Sequence, residues 1–197
     1  MKRIYKKIIL KYYQKIRIAI FKHLSNNKKI SGNPLIVQPV SFFGMGVIEF
    51  GQNVQLGYFP SPFFYDGSIH LEARNENSKI NIGNNVMINN NLKIICDKTN
   101  ITIGDDVLIG YGVNIFDSDF HEIDPQSRKS GNYLTAEVHI GSNVFIGSNV
   151  SILKGVTIGK NTVIAYGSVV TKSFPDNVII GGNPAKIISQ ILSDENK

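Results

Sequence analysis

The sequence has no tryptophan and only one cysteine, Cys96, in 197 residues. A single thiol excludes an internal disulfide framework and any multi-cysteine zinc or iron–sulfur site. No stretch approaches the roughly 18 uninterrupted apolar residues that a membrane span requires. The N-terminus has no apolar core followed by a small-residue cleavage site, so the expected location is cytoplasmic. No P-loop, dinucleotide fingerprint or zinc-ligand spacing is present. Acidic residues are missing from one region altogether: residues 1–29 hold ten Lys or Arg and no Asp or Glu. The remainder carries 11 basic against 15 acidic residues, a balance of −4, so the net +6 belongs to an arm and not to the body. No nucleic-acid partner is expected from such a division.

What is present begins with a helical pattern. Ile4, Ile8, Tyr12, Ile16, Ala19, Ile20 and Leu24 recur at three- or four-residue spacing with lysines between them, which predicts an amphipathic helix ending near Ser25-Asn26-Asn27. Two partners fit a basic helix of this kind: its own protein or a sister subunit, or an anionic membrane surface met peripherally through residues 1–24. The expected division of the chain is this helix in residues 1–30, a second unit in residues 31–188, and a tail in residues 189–197.

The second unit announces a repeat. Stepping by six, Ile140, Ile146, Ile152, Ile158, Ile164 and Val170 form an unbroken series, and shorter series run Ile103, Ile109, Ile115 and Ile82, Ile88, Ile94. A second aliphatic follows four residues on at Val86, Val107, Val113, Val144, Val150 and Val156. Gly, Asn and Asp cluster between the aliphatics, and these types tolerate the left-handed backbone of a sharp corner. Six residues therefore make one short strand and one corner. Neither a 3.6-residue helix nor a hairpin sheet repeats in six, whereas a coil with three short sides does. The expected fold is all-β, a parallel β-helix preceded by one α-helix.

The repeat breaks once. Ile115 and Ile140 are 25 residues apart where 24 would keep the phase, and the intervening residues, roughly 117–137, are polar and poor in core formers. A solenoid gains no core from such an excursion, which points to function. The excursion holds His121, whose imidazole titrates near neutral pH and suits a general base. Asp119, Glu122 and Asp124 are candidates to orient that ring. His139, His70 and His23 have no motif around them, and Cys96 in "KIICD" reads as a core side chain. Upstream, Phe42, Phe43, Phe59, Phe63, Phe64 and Tyr65 fit either a wall for the apolar face of a sugar or packing of an irregular first turn.

The segments "IGDDVLIGYGVNI" (103–115), "DSDFHEID" (117–124) and "IGSNVFIGSNVSILKGVTIGKNTVIAYGSVVTKSFPDNVIIGGNPAKII" (140–188) resemble the hexapeptide-repeat acyltransferases. The similarity is to the branch of maltose, galactoside and capsule or O-antigen O-acetyltransferases, over roughly residues 80–188. The resemblance implies a left-handed coil, an exception to the usual crossover hand, and a homotrimer binding acetyl-CoA between neighbouring coils. It implies catalysis by His121 on the extruded loop and an oxyanion donor at the Ser148 amide. Asn91, Asp119 and Glu122 would meet the acceptor. Ala165, Tyr166, Thr171, Lys172 and Lys186 would line the acetyl-CoA site, and no metal is required. The expected reaction is O-acetylation of a saccharide or lipid-linked glycan in surface-polysaccharide synthesis. Its rivals are N-acetylation of an amino sugar, a zinc hydratase needing three convergent histidines, and a non-catalytic scaffold.

Overall fold

The computed structural model describes residues 2–191, with side chains from residue 12 onward. The expected stripe residues Ile4 and Ile8, and tail residues 192–197, therefore lie outside the described side chains. Helix α1 spans Lys2–Leu24. It ends where Ser25 turns its hydroxyl back onto the Phe21 carbonyl at 2.8 Å and accepts the Phe42 amide at 2.9 Å. The face turned toward the body is mixed: Ile18 and Phe21 are half-buried, while buried Gln14 donates to the Phe64 carbonyl at 2.9 Å and Arg17 donates to the Phe64 and Gly67 carbonyls at 3.0 and 2.6 Å. The apolar stripe at Tyr12, Ile16, Ile20 and Leu24 is exposed. The described part of the stripe does not pack on its own chain.

From Ile30 the chain winds through three sheets in turn. The first sheet stacks strands at Ile30–Ser31, Val47–Phe50, Lys79–Ile82, Asn100–Ile103, Val138–Ile140 and Thr157–Ile158. The second stacks Leu35–Ile36, Gln55–Leu56, Met87–Ile88, Leu108–Ile109, Phe145–Ile146, Val163–Ile164 and Val178–Gly182. The third stacks Val40–Gly44, Ile69–Ala73, Lys93–Cys96, Asn114–Phe116, Ser151–Ile152 and Val169–Val170. All these pairs are parallel, and the result is a three-sided prism, a left-handed parallel β-helix. One antiparallel strand, Ala185–Gln190, closes the C-terminal end against Val178–Gly182. It runs two residues past the expected end of the solenoid at 188.

The six-residue series are the columns of the core. Ile82, Ile103, Ile140 and Ile158 stand in register in the first sheet, and Ile88, Ile109, Ile146 and Ile164 in the second. Ile94, Ile115, Ile152 and Val170 do so in the third. All are buried, as are the six valines four residues on. Each such side chain contributes about 1.5–3 kcal/mol on leaving water, and β-branched residues suit the pleat. At the corner between the first and second sheets, Asn85, Asp106, Asn143, Asn161 and Asn177 adopt φ of 55–59°. Their side chains form a ladder, with Asn143 donating to Asn161 at 2.9 Å and Asn161 to Asn177 at 2.8 Å.

Two excursions interrupt the winding. Residues 58–67 leave the corner between the second and third sheets, and residues 117–137 leave the corner between the third and the first. The irregularity expected of the early coil among the upstream aromatics is confined to residues 58–67. Val47–Phe50 and Gln55–Leu56 pair in ordinary register with the next coil, and it is the aromatic segment after them that departs. Asn90 holds that segment, accepting the Tyr58 amide at 3.0 Å and donating to the Tyr58 and Pro62 carbonyls at 3.0 and 2.9 Å.

Candidate active site

Both excursions border the third sheet, so its outer face is a floor between two walls. Side chains on a strand alternate between faces, and in "IHLEAR" this puts His70, Glu72 and Arg74 together on the outside. The Arg74 Nε donates to Glu72 at 2.8 Å, and a second nitrogen reaches Asp97 at 3.5 Å. The His70 Nε2 lies 3.2 Å from the Glu72 carboxylate; a carboxylate only accepts, so this nitrogen carries the proton. Ser41 meets the other ring nitrogen at 3.1 Å, and Phe43 stacks on the ring at 5.5 Å. Burial pulls the Glu72 carboxyl up, but the hydrogen bonds and charges of Arg74 and His70 outweigh it and hold the group below its ordinary value. This network is absent from the sequence reading, which discounted His70. The alternation of polar residues along one strand was the available signal.

The network supports the His121 loop. Its last member, Arg74, lies over the Phe120 ring at 5.1 Å, and Phe116 packs on that ring at 5.8 Å. Phe120 has φ 61°, a region that bulky residues seldom enter, and its neighbours hold it there directly before His121. The mouth of the loop is closed by Asp117. This fully buried carboxylate accepts the Asp97, Lys98 and Thr99 amides at 2.8, 3.1 and 3.1 Å and the Thr99 hydroxyl at 2.9 Å. Burial, with the Asp117 charge nearby, pushes the Cys96 thiol up to about 12. Lys98 covers the Tyr133 ring of the loop at 4.0 Å.

His121 itself is exposed and hydrogen-bonds to none of the described residues. The three carboxylates considered for orienting it are placed otherwise. Asp119 pairs with Lys154 at 2.9 Å. Asp124 accepts the Gln126 amide at 3.1 Å and the Ser127 hydroxyl at 2.8 Å, bonds that hold its carboxyl below the usual range. It serves a turn. Among the described residues Glu122 makes no ion pair, and one of its oxygens, like one of Asp119 and one of Asp97, is buried without a donor. The His121 imidazole is thus open to an incoming hydroxyl, whereas the unpartnered oxygens of its flanking carboxylates are buried.

The remaining residues implied by the resemblance are divided between prism edges. Asn91, Ser148, Ala165 and Tyr166 lie on the corner between the second and third sheets, whereas Thr171 and Lys172 share the corner from which the His121 loop leaves. Within one chain, His121 and Ser148 are therefore on different edges. Asn91 adopts φ 61° and its amide donates to Gln38 at 2.8 Å. The Ser148 N–H has no acceptor among the described residues, and a Cβ on Gly110 would come within 2.5 Å of it. The same amide vacancy recurs at Ser142 and Tyr166, whereas the equivalent Asn84, Asp105, Tyr111 and Lys160 amides are each taken by a side chain of the next coil. Tyr166 is exposed, its hydroxyl accepting from Asn149 at 2.7 Å. Lys172 is exposed, 5.8 Å from the Phe174 ring, and exposed Lys186 stands opposite Gly181 on the closing strand. Among the described residues no group of three or more His, Cys, Asp or Glu could hold a metal ion.

Comparison with known proteins agrees with this architecture. The family model "Bacterial transferase hexapeptide (six repeats)" matches residues 137–172. Galactoside O-acetyltransferase of Escherichia coli K12 is 45% identical over 120 residues, which cover 61% of this chain and 58% of that protein. The chain thus spans less than two thirds of the length of that relative. Among solved structures, the polySia-specific acetyltransferase NeuO superposes with a TM-score of 0.63 at 31% identity, covering 87% of this chain and 72% of that one. A galactoside acetyltransferase in complex with coenzyme A gives 0.57 at 30% identity, covering 97% and 81%. With its stacked hexads, its one polar excursion and these relatives, the chain belongs to the hexapeptide-repeat acyltransferase family.

Proposed function

We propose that this protein transfers the acetyl group of acetyl-CoA to a hydroxyl of a saccharide during synthesis of a bacterial surface polysaccharide, on the cytoplasmic side. The observation that carries the reading is His121, exposed on the long polar excursion and without a hydrogen-bond partner among the described residues. Its relatives include acetyltransferases named for galactosides and polysialic acid, one solved with coenzyme A.

An alcohol is a weak nucleophile whose proton must leave as the new C–O bond forms. His121 takes that proton, the oxygen attacks the thioester carbonyl, and the protonated ring then returns the proton to the departing CoA sulfur. The free Ser148 amide stabilises the oxyanion. Asn91, Asp119 and Glu122 hold the acceptor, and Ala165, Tyr166, Thr171, Lys172 and Lys186 line the acetyl-CoA groove. No metal takes part. Since His121 and Ser148 occupy different edges of one prism, the site is completed by a neighbouring copy in a homotrimer. An apolar column supports that assembly: Met87, Leu108 and Phe145 are register partners on the outer face of the second sheet, and all three are exposed.

The test compares surface glycans from cells with and without this protein, together with label transfer from acetyl-CoA to hydroxyl and amino sugars in vitro. Loss of alkali-labile acetyl esters and labelling of hydroxyl acceptors support the reading. Unchanged ester content, or label on amines alone, overturns it.

A further inference from the structure

Helix α1 half-buries Ile18 and Phe21 against the body but leaves a second apolar stripe outside. Gln14 and Arg17 face the body because its loop at 64–67 offers bare carbonyls. The apolar stripe consequently points outward, with Tyr12 63%, Ile16 59%, Ile20 50% and Leu24 63% exposed. The patch continues off the helix. The Tyr13 hydroxyl donates to the Tyr65 carbonyl at 3.0 Å, and the Tyr65 ring lies 6.3 Å from that of Phe59, all three side chains being exposed. Leaving four large apolar side chains of one helix in water forfeits about 1.5–3 kcal/mol for each if fully buried. An occupant is therefore called for.

Charge selects it. The segment that carries the stripe has ten Lys or Arg and no acid within residues 1–29. The same arm of a second copy would bring ten more cations and be repelled, whereas an anionic lipid surface attracts about 1 kcal/mol per Lys or Arg near it. Tyrosines suit the headgroup level, where an apolar ring and a polar tip are both satisfied. No described helix is long and apolar enough to cross a membrane, so the helix lies on the surface. We infer that α1, extended by Tyr65 and Phe59, docks in the plane of an anionic bilayer, its Tyr12–Ile16–Ile20–Leu24 stripe among the acyl chains and its lysines among the headgroups. The inference stands apart from the acetyl-transfer reading, since neither His121 nor any acceptor contact enters it.

The test is flotation of the full-length protein with phosphatidylcholine vesicles, with and without phosphatidylglycerol. Helix content and oligomer mass are measured in parallel for the wild type and for the double variant Ile16→Asp/Ile20→Asp. Both substitutions are on the outward face, so they leave the Gln14 and Arg17 contacts in place. The expected result is binding to the anionic vesicles about tenfold or more above the neutral ones, and a loss of about tenfold or more in the double variant at unchanged helix content and mass. Equal binding to neutral vesicles, no binding to either, or undiminished binding by the variant overturns the inference. So does a fall in oligomer mass, which would make the stripe a subunit contact.

Discussion

Replacing Asp117 by alanine removes the group that closes the mouth of the His121 loop, and the structure sets the magnitude. The carboxylate accepts five hydrogen bonds: three from consecutive amides and one from a hydroxyl at 2.8–3.1 Å, and a weaker one from the Cys96 thiol at 3.7 Å. Asp97 is fully buried, so its amide has no water to turn to and bears the full cost of a lost partner, about 1–3 kcal/mol. Lys98 is exposed and Thr99 half-buried, so water recovers part of their loss. The combined effect is a destabilisation of about 3–5 kcal/mol, within the range for removing one member of a buried charged hydrogen-bond set. Since the chain has no tryptophan, unfolding in urea is best followed by circular dichroism, at one fixed protein concentration to hold subunit assembly constant. Asp124→Ala is the control, because Asp124 is exposed and its bonds stay within a loop turn. An Asp117→Ala loss below about 1 kcal/mol, or one no greater than that of Asp124→Ala, would refute the argument that this staple anchors the loop.

Two further outcomes follow from the titrating groups. The Glu72 carboxyl is held below its ordinary value of 4.5, so the stability it contributes is complete above that value and is lost as pH falls through the lower, folded-state value. Glu72→Gln should therefore show a shallower loss of thermal stability on acidification than the wild type, and parallel curves would contradict this. Cys96 is buried with its thiol pushed up to about 12, so it should resist a thiol-specific reagent at mildly alkaline pH in the folded protein and react fully once unfolded. Rapid labelling of the folded chain would show the assignment to be wrong.

The parts of this molecule legible in its sequence are those with a period. Ile140 to Val170 marks the strands because a solenoid core repeats the same inward position on every side of the prism. The excursion at 117–137 was legible for the opposite reason, since it breaks that period between Ile115 and Ile140. Outward residues obey no such rule. His70, Glu72 and Arg74 sit in an otherwise ordinary strand, and their tie to Phe120 depends on a loop 46 residues further on. The excursion at 58–67 was hidden in a run of aromatics whose folding depends on Asn90 and Gln14, both distant in sequence. The pattern of α1 revealed a stripe but not its direction. That is set by the Phe64 and Gly67 carbonyls, which a helix can satisfy only with polar side chains.

The measurement that bears most directly on the proposed chemistry is the rate of CoA release from acetyl-CoA with a saccharide acceptor, for the wild type against His121→Ala. His121 is exposed and makes no hydrogen bond to any described residue, so its removal should leave the urea midpoint and the circular dichroism spectrum unchanged. Turnover should fall by about 10²–10⁴, the contribution of a general base. A variant that keeps the fold and the wild-type rate would contradict the account, because no other imidazole stands on the excursion to take the proton.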